Sequence, residues 1–246
     1  MGGRSRGWRG ATTGNVEPWC FVRRRLPLVA HQFYNRHLRT KCYHSGMRLA
    51  GFVLAGGESR RMGEDKALLD WDGTTVLQRI CCEVAKVAES VVVLGASNRY
   101  AGFGFHCWDD VHPGLGPIGA LETMLTRTSE EWNLVVAVDL PGVDQRLLSG
   151  LKETAGIGHG LATVVSEVPE DSPEPGEAVG RIHPLCGIYG RPALAAVREA
   201  INGNDLRVLN LIKRLKAVYH VIPYRLINVN RPEDWSAFLA SASRSS

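Results

Sequence analysis

The sequence lacks the cysteine patterns that hold a structural metal or a network of disulfide bonds. It has six cysteines in 246 residues, and no two of them form a Cys-x-x-Cys pair. Cys81 and Cys82 are adjacent, so their side chains point to different sides of the helix that we predict there. Scattered cysteines of this kind are typical of reduced thiols that fill apolar space in a cytosolic protein. We therefore expect a cytoplasmic protein without structural zinc or disulfides.

Long apolar runs are also absent. No segment approaches the roughly 20 consecutive apolar residues that a membrane-spanning helix needs. The run at 27–30 is too short for the apolar part of a secretory signal. We expect neither membrane attachment nor export. No internal repeat is apparent, so one domain with a tail is the simplest expectation for this length.

The body of the chain has no excess of positive charge. Residues 1–46 contain nine basic side chains and one acid, Glu17, so this segment carries +8 of a chain whose net charge is +4. The remaining residues therefore carry −4. Because a protein that binds nucleic acid neutralises phosphates with a basic face, we do not expect nucleic-acid binding.

The first 46 residues show no sustained apolar period and are rich in glycine and arginine. We predict that this extension is disordered and that residues 47–246 form the domain. Two interpretations of the extension stay open. Its arginine-rich, acid-poor composition suits an organelle transit peptide. Alternatively, the extension is spurious and Met47 is the natural start.

From Leu49 onward, short β-branched apolar runs alternate with segments of helical period. We predict strands at four such runs: 49–54, 90–95, 133–139 and 161–166. We predict helices at 74–88, 118–128, 144–155, 192–201, 205–215 and 231–240. Late strands should lie within 217–230, and the Pro-, Gly- and acid-rich residues 166–180 should form a mobile surface excursion. This alternation predicts an α/β fold with a mostly parallel sheet, whose binding sites lie at the carboxyl ends of the strands.

A glycine turn with three cations follows the first predicted strand, within the stretch GFVLAGGESRRMGEDKALLDWDG (51–73). Gly56 and Gly57 lack a Cβ, so backbone N–H groups there can approach phosphate oxygens. The stretch is not a Walker loop, because Ala67 follows Lys66 where Ser or Thr would bind the metal, and it has no Gly-x-Gly-x-x-Gly. What remains are cations suited to a triphosphate and to charge that leaves as diphosphate: Arg60, Arg61 and Lys66.

The segment LAGGESRRMGEDKALL (54–69) closely resembles the L-A-G-G-x-S-x-R-M-G-x-D-K motif that opens the molybdenum cofactor guanylyltransferases, relatives of the sugar-nucleotide pyrophosphorylases. The resemblance continues in order through DDVHPGLGPIGAL, VVAVDLPGV, RIHPLCGIYGRPAL and INVNRPEDW, and covers nearly all of 47–240. It implies a three-layer, Rossmann-like fold of the nucleotide-diphospho-sugar transferase type with a mostly parallel sheet.

The resemblance also implies roles for particular residues. The main chain of the first turn would hold the guanine nucleotide, Lys66 would touch its phosphates, and Asp139 would bind both nucleotide and Mg²⁺. The predicted nucleotide-binding residues are Leu54, Ala55, Gly56, Gly57, Lys66, Asp110 and Asp139. Catalysis would rest on Lys66, Arg61 and Asp139, which stabilise developing charge or hold the metal.

The position of Asp139 supports a metal-binding role without the resemblance. It follows an apolar run and so lies at the carboxyl end of a buried strand, where a cation bridging phosphates needs oxygen ligands. Alternatively, it caps the following turn. Asn228 and Asn230 would face the same side of a strand, and Asn230 is the better candidate for a second metal ligand, unless it only forms a turn. For His183 two roles stay open: contact with a pterin or phosphate, and a satisfied structural histidine.

These features predict a cytoplasmic, Mg²⁺-dependent guanylyltransferase that joins the GMP moiety of GTP to molybdenum-molybdopterin and releases diphosphate. Transient contact with molybdoenzymes or their chaperones is also expected. A cytidylyltransferase acting on the same pterin is the nearest alternative, but its relatives usually carry L-A-A-G where this chain has LAGG (54–57). A sugar-1-phosphate nucleotidyltransferase would need a sugar-site motif, and none is apparent. A noncatalytic nucleotide-binding chaperone would not need both Lys66 and Asp139.

Overall fold

The computed structural model of the chain describes residues 46–56, 62–95, 97–168 and 180–242. Apart from Gly46, the predicted N-terminal extension lies outside these residues, as does most of the predicted excursion at 166–180. The boundary of the domain therefore stays a prediction. Within the described part of the chain, every helix falls short of the length and apolar character that a membrane crossing requires.

The strands form one large sheet and one small hairpin. In chain order they are β1 (Leu49–Leu54), β2 (Asp70–Trp71), β3 (Thr74–Thr75), β4 (Ser90–Leu94), β5 (His106–Trp108), β6 (Trp132–Ala137), β7 (Ala162–Glu167), β8 (Arg181–Gly190) and β9 (Val218–Ile222). The large sheet has the order β5-β4-β1-β6-β8-β7-β9, and β2 pairs with β3 in the hairpin. Neighbours in the large sheet are parallel, except that β8 runs antiparallel to β6 and β7.

Helices cover both faces of the sheet. They are α1 (Val76–Ala85), α2 (Ser97–Tyr100), α3 (Pro117–Arg127), α4 (Gln145–Ile157), α5 (Leu194–Asn202), α6 (Val208–Arg214) and α7 (Pro232–Ala242). Apolar residues of α1 and α4 pack with one face of the sheet in a single core cluster. Those of α3, α5 and α6 pack with the other face in a second cluster. The predicted three-layer α/β architecture with a mostly parallel sheet is confirmed.

Local sequence signals explain where several helices begin. Thr75 caps α1 in a capping box, in which its hydroxyl accepts from the Gln78 N–H and the Gln78 side chain accepts from the Thr75 N–H. The Asp144 carboxylate caps α4 by accepting from the Leu147 N–H at 2.8 Å. The six predicted helices are all present, within three residues at each end.

The strand predictions were right for β1, β4, β6 and β7 but missed β5, β8 and the hairpin. Strand β8 contains Pro184, which normally argues against a central strand. The proline lies in a bulge of β8, because Val164 pairs with Gly187 whereas the next residue, Val165, pairs with His183. A bulge tolerates the missing N–H donor, so local pattern alone could not identify this strand.

The prediction of late strands throughout 217–230 was wrong beyond Ile222. Strand β9 ends there, and residues 225–230 run without strand pairing. Instead, this segment passes the carboxyl end of β6, where the Val229 N–H donates to the Asp139 carbonyl at 2.8 Å. This backbone hydrogen bond joins the late segment to the carboxyl end of β6 without the repeated ladder of bonds that defines a strand.

The turns after β1 and β4 meet through two glycines. Gly95 has a φ of +95°, and its N–H donates to the Trp108 carbonyl at 2.8 Å. A Cβ at Gly95 would lie 2.5 Å from the Cα and 2.9 Å from the N of Gly56. Only glycine therefore permits this backbone approach, which brings the ends of adjacent parallel strands together.

We predict that Gly95→Ala destabilises the protein by about 2 kcal/mol or more, because it adds a backbone clash to the cost of a left-handed conformation. Gly73→Ala is the matched control: Gly73 has a φ of +78° but nothing within 4 Å of its Cβ position. Urea unfolding of both variants separates the cost of the backbone clash from the cost of the left-handed conformation. Equal losses of stability would show that the contact with Gly56 is not restrictive.

Candidate active site

The turn after β1 is fixed to both neighbouring strands by its main chain. The Leu54 carbonyl accepts from the Val138 N–H at 3.0 Å, and the Ala55 N–H donates to the Leu94 carbonyl at 3.0 Å. Ala55 is buried, whereas Gly56 is exposed. The only donor on the Ala55 main chain is thus used within the protein. A ligand that needs backbone N–H groups from the described part of this turn would find them at Gly56 rather than Ala55.

Lys66 is held both at its base and at its ammonium group. It begins a 3-10 helix, Lys66–Leu68, whose N-cap residue Asp65 accepts from the Ala67 N–H at 3.1 Å. Ala67 is fully buried, so this short helix is anchored to the core. The Nζ of Lys66 donates to the Oδ1 of Asn230 at 2.8 Å. The fold thereby joins two residues that lie 164 positions apart.

An aromatic cluster explains why Lys66 and Asn230 meet. The β2–β3 hairpin follows the 3-10 helix closely, and α7 begins two residues after Asn230. Trp71 of the hairpin packs edge-on against Trp235 and Phe238 of α7, with ring centroids 6.2 and 4.8 Å apart. Such aromatic pairs contribute about 1 kcal/mol each beyond the burial of area. The cluster therefore clamps the two segments that carry the lysine and the asparagine.

The segment with the two asparagines is ordered by local hydrogen bonds. The Nδ2 of Asn230 donates to the Oδ1 of Asn228 at 2.8 Å, so the two side chains lie on the same side as predicted, although no strand forms there. The Oδ2 of Asp234 accepts from the N–H groups of Asn230 and Arg231, both at 2.8 Å. These two bonds lower the pKa of the Asp234 carboxyl. Asp234 thus ties the segment to the first turn of α7.

Asp139 follows β6 and completes the network. Its carboxyl hydrogen-bonds with the Asn228 side chain and interacts electrostatically with Lys66 and His183. Burial raises the pKa of the Asp139 carboxyl above its ordinary value, while Lys66 and the hydrogen bonds offset part of that rise. Three predicted site residues, Lys66, Asp139 and Asn230, are therefore linked through Asn228 in one hydrogen-bonded and charged group.

The residues near Asp139 suit Mg²⁺ only if waters and substrate phosphates supply most of its ligands. Among the residues that the structure describes, no group of three or more His, Cys, Asp or Glu side chains is placed to hold a metal ion. Mg²⁺ is commonly held by one or two carboxylates together with waters and substrate phosphates, rather than by a complete protein cage. One carboxylate just after a buried strand suits that manner of binding.

Asp110 lies apart from this network, two residues after β5. The order of the strands places the ends of β5 and β6 three positions apart, or about 14 Å along the edge of the sheet. The Oδ1 of Asp110 is buried without a hydrogen-bond partner among the described residues. Burial and then the charge of Asp109 raise the pKa of the Asp110 carboxyl. A buried acceptor left unsatisfied is costly, and a donor from a ligand would relieve that cost.

His183 has its partners inside the protein. Its side chain is 4% exposed, and its Nε2 lies 2.5 Å from the Oε1 of Glu167, which also accepts from the Leu226 N–H at 2.8 Å. This arrangement supports the structural role for His183, because a buried ring that is bonded to Glu167 has little surface with which to contact a pterin. Its effect on the site is indirect, because its electrostatic interaction with Asp139 lowers the pKa of that carboxyl.

Two predicted site residues lie outside the described part of the chain, and three residues without a predicted role contact the site. Gly57 and Arg61 lie outside the described residues, so their roles stay predictions. The sequence assigned no role to Asp65, which caps the helix that begins with Lys66, to Tyr100, whose hydroxyl contacts Asp65 and the Ala55 carbonyl, or to Gly95, which packs against Gly56. Asp65 could have been found, because an acid directly before a short helix is a common cap. The contacts of the other two span distant segments and leave no local signal.

The chain is similar to known nucleotidyltransferases over most of its length. Residues 51–218 match the family of MobA-like NTP transferase domains. A Deinococcus radiodurans protein named "Probable molybdenum cofactor guanylyltransferase" is 30% identical over 188 residues, which are 76% of this chain and 91% of that protein. A "Molybdenum cofactor guanylyltransferase" of Xanthomonas euvesicatoria pv. vesicatoria is 43% identical over 103 residues, 41% of this chain and 52% of that one.

The fold is also found among solved structures. The crystal structure of molybdopterin-guanine dinucleotide biosynthesis protein A from Archaeoglobus fulgidus matches with a TM-score of 0.62 and 20% sequence identity. The match covers 79% of this chain and 99% of that one. At this identity the likeness concerns the fold alone. It confirms the predicted fold of the nucleotide-diphospho-sugar transferase type.

We predict that Asp139→Asn does not lower the stability of the free protein at pH 7 and raises it if the bond to Asn228 is kept. A carboxyl whose folded-state pKa is raised stabilises the fold when protonated, and that contribution is lost as the pH rises through the folded pKa. The free energy of unfolding of the variant, relative to that of the wild type, should therefore increase between about pH 4 and pH 7.

Urea unfolding at several pH values measures this difference. Asp144→Asn serves as a matched control, because asparagine also caps a helix well and Asp144 is exposed at the start of α4. A marked loss of stability in Asp139→Asn at pH 7, absent at pH 4, would show that the ionised carboxylate stabilises the fold and would contradict the prediction.

Proposed function

The chain belongs to the family of MobA-like NTP transferase domains, and from that premise we propose that it transfers GMP from GTP to the terminal phosphate of molybdenum-molybdopterin. The products are diphosphate and the guanine dinucleotide form of the molybdenum cofactor. Two relatives that match over more than nine-tenths of their own length carry the name "Probable molybdenum cofactor guanylyltransferase", which supports this choice of substrates.

The observation that carries the proposal is the network from Lys66 through Asn230 and Asn228 to Asp139. It places a cation and a carboxylate together at the carboxyl ends of parallel strands, where α/β proteins bind nucleotides. Gly56 lies past the end of the adjacent strand and is exposed. Phosphates beside this turn would meet the lysine, and a bound metal would meet the carboxylate.

The reaction needs no covalent intermediate with the protein. An oxygen of the terminal pterin phosphate attacks the α-phosphorus of GTP and forms a new P–O bond. The bond from the α-phosphorus to the oxygen that bridges to the β-phosphorus breaks, and its electron pair leaves with diphosphate. Lys66 neutralises charge that develops on the phosphate oxygens, and Asn230 orients its ammonium group for this task. Arg61 is proposed to assist.

We propose Asp139 as the principal protein ligand of Mg²⁺, with Asn230 as the second candidate. When bound, the ion neutralises phosphate oxygens and helps to orient the triphosphate. The Oδ1 of Asn230 accepts from Lys66, but an amide oxygen has two lone pairs and could serve both partners. Asp110, with its unsatisfied carboxylate oxygen, is proposed to accept a hydrogen bond from the nucleotide farther along the edge.

The choice of nucleotide can be measured directly. Because the first turn is LAGG (54–57), we expect GTP to be preferred over CTP by about tenfold or more, the ratio that a contact difference of about 1.4 kcal/mol produces. Purified protein is incubated with molybdenum-molybdopterin, Mg²⁺ and each of GTP, CTP, ATP and UTP, and the nucleotide released from the cofactor by hydrolysis is identified. Equal or faster turnover with CTP would overturn the guanylyl assignment and leave the class of nucleotidyltransferase intact.

Asp139 and Lys66 should respond differently to metal. Asp139→Asn keeps the shape of the side chain but removes the charge that attracts Mg²⁺, so its loss of turnover should be partly relieved by more Mg²⁺. Lys66→Ala should reduce turnover by about a hundredfold or more at saturating GTP, as for the removal of one charge-stabilising group, and metal should not restore it.

Turnover is measured against Mg²⁺ concentration for the wild type and both variants. Lys86→Ala is the control for a lost lysine. Lys86 pairs with Glu83 at the end of α1 and precedes β4, so it lies toward the amino ends of the parallel strands and away from the site. Its turnover should match that of the wild type. Equal rescue of Asp139→Asn and Lys66→Ala by metal would refute the proposed division of roles.

A further inference from the structure

The hydroxyl of Tyr100 joins two parts of the site that are distant in sequence. It lies 2.8 Å from the Ala55 carbonyl oxygen and 2.8 Å from the Oδ2 of Asp65. Ala55 belongs to the turn after β1, and Asp65 caps the 3-10 helix that begins with Lys66. Tyr100 itself comes from α2, after β4. One side chain therefore contacts both the nucleotide-side turn and the base of the lysine helix.

The hydroxyl of Tyr100 acts as a hydrogen-bond donor in this site. Tyr100 is fully buried, and burial, followed by the hydrogen bond to Asp65, raises the pKa of its phenol well above the ordinary value. The proton thus stays on the oxygen and is shared between two acceptors, a carbonyl and a carboxylate. Hydrogen bonds to a charged acceptor in a buried place are stronger and more directional than those at the surface.

The contacts of Asp65 also restrain the backbone of Lys66, the next residue. The Oδ1 of Asp65 accepts from the Ala67 N–H at 3.1 Å, so the carboxylate is engaged on both oxygens. Arg99 adds a third contact, with its Nη1 3.0 Å from the Oδ2. The carboxylate is therefore fixed in rotation as well as in position. Because Lys66 directly follows Asp65, the path of the lysine from its Cα depends on where this carboxylate lies.

We propose that Tyr100 is a positioning residue for Lys66, which sets the distance between the lysine and the turn after β1 by holding Asp65 against the Ala55 carbonyl. This inference rests on the proposed function, in which Lys66 meets the phosphates of a nucleotide bound at that turn. Tyr100 itself need not touch the nucleotide. Asn230 restrains the ammonium end of Lys66, and Tyr100 restrains its backbone end.

A double-mutant cycle tests the coupling. Tyr100→Phe removes only the hydroxyl and should lower kcat by about tenfold, since small displacements of a catalytic group have effects of this order or greater. The KM for GTP should change by less than about threefold, because the turn and most nucleotide contacts remain. In the Lys66→Ala background, Tyr100→Phe should lower kcat by less than about twofold, since the group that it positions is gone.

Tyr189→Phe is the matched control. Tyr189 is also fully buried, and its hydroxyl donates to the Pro184 carbonyl at 2.6 Å. Loss of this hydroxyl tests for general loosening of the fold. Its effect on kcat, whatever its size, should be the same with Lys66 and with Ala at position 66. If Tyr100→Phe behaved in that additive manner too, Tyr100 would be an ordinary structural residue and the proposal would be wrong.

A second measurement does not need turnover. The rate at which pyridoxal phosphate and borohydride label Lys66 in the nucleotide-free protein is followed by peptide mass spectrometry. In Tyr100→Phe this rate should rise by about twofold or more, because a less restrained segment opens more often, while labelling of Lys86 stays the same. An unchanged Lys66 rate would overturn the positioning role. If the wild type turned over no nucleotide at all, the proposed function would fail, and this labelling result would still decide how Lys66 is held.

Discussion

The packing of Trp71 against Trp235 and Phe238 is the contact on which the geometry of the site depends. The strand ends are placed by the sheet, but Lys66 and Asn230 lie on segments outside it. A single hydrogen bond at the surface contributes only about 1 kcal/mol and could not by itself hold two such segments together. Contact among three large rings, with Phe238 buried and the two tryptophans partly buried, holds the segments together, and the hydrogen bond from Lys66 to Asn230 orients the lysine.

The charges of the site are arranged at a cost to the fold. Burial raises the pKa of Asp139, and it does the same for Asp110 at the far end of the edge. Lys66 and Asn228 offset part of this cost at Asp139, whereas a buried oxygen of Asp110 has no partner among the described residues. Groups that destabilise a protein in its free state and could gain partners from a ligand are common at functional sites. The capping acids Asp65, Asp144 and Asp234 differ from these two carboxylates, because each accepts backbone hydrogen bonds from the segment that it caps.

Ala55 and Gly56, the described residues of the turn after β1, are held by neighbouring elements on several sides. The Leu94 carbonyl accepts from the Ala55 N–H, Gly95 packs against the Gly56 backbone, and Tyr100 donates to the Ala55 carbonyl. Catalysis by positioning requires groups that do not relax when charge develops, and these contacts restrain the start of the turn in that manner. All three supports come from β4 and the residues directly after it, which makes that strand as important to the site as β1 itself.

The apolar periods of the sequence by themselves determined β1, β4, β6, β7 and the six longer helices, because a buried strand or an amphipathic helix must show its pattern locally. They also placed Asp139, since an acid that follows a buried strand lies at the edge where ligands bind. The motif at 54–69 indicated the family, and it made Lys66 a candidate site residue without any tertiary contact.

Only the tertiary structure decided which residues meet. Strand β8 was hidden by Pro184 and its bulge, and residues 225–230 leave the sheet to run past Asp139. The same holds for the partnership of Lys66 with Asn230 and for the enclosure of His183 by Glu167. These outcomes depend on strand order and on the burial of distant side chains against one another. Contacts of that kind are formed between segments far apart in the chain, so no local window of the sequence contains the energy that selects them.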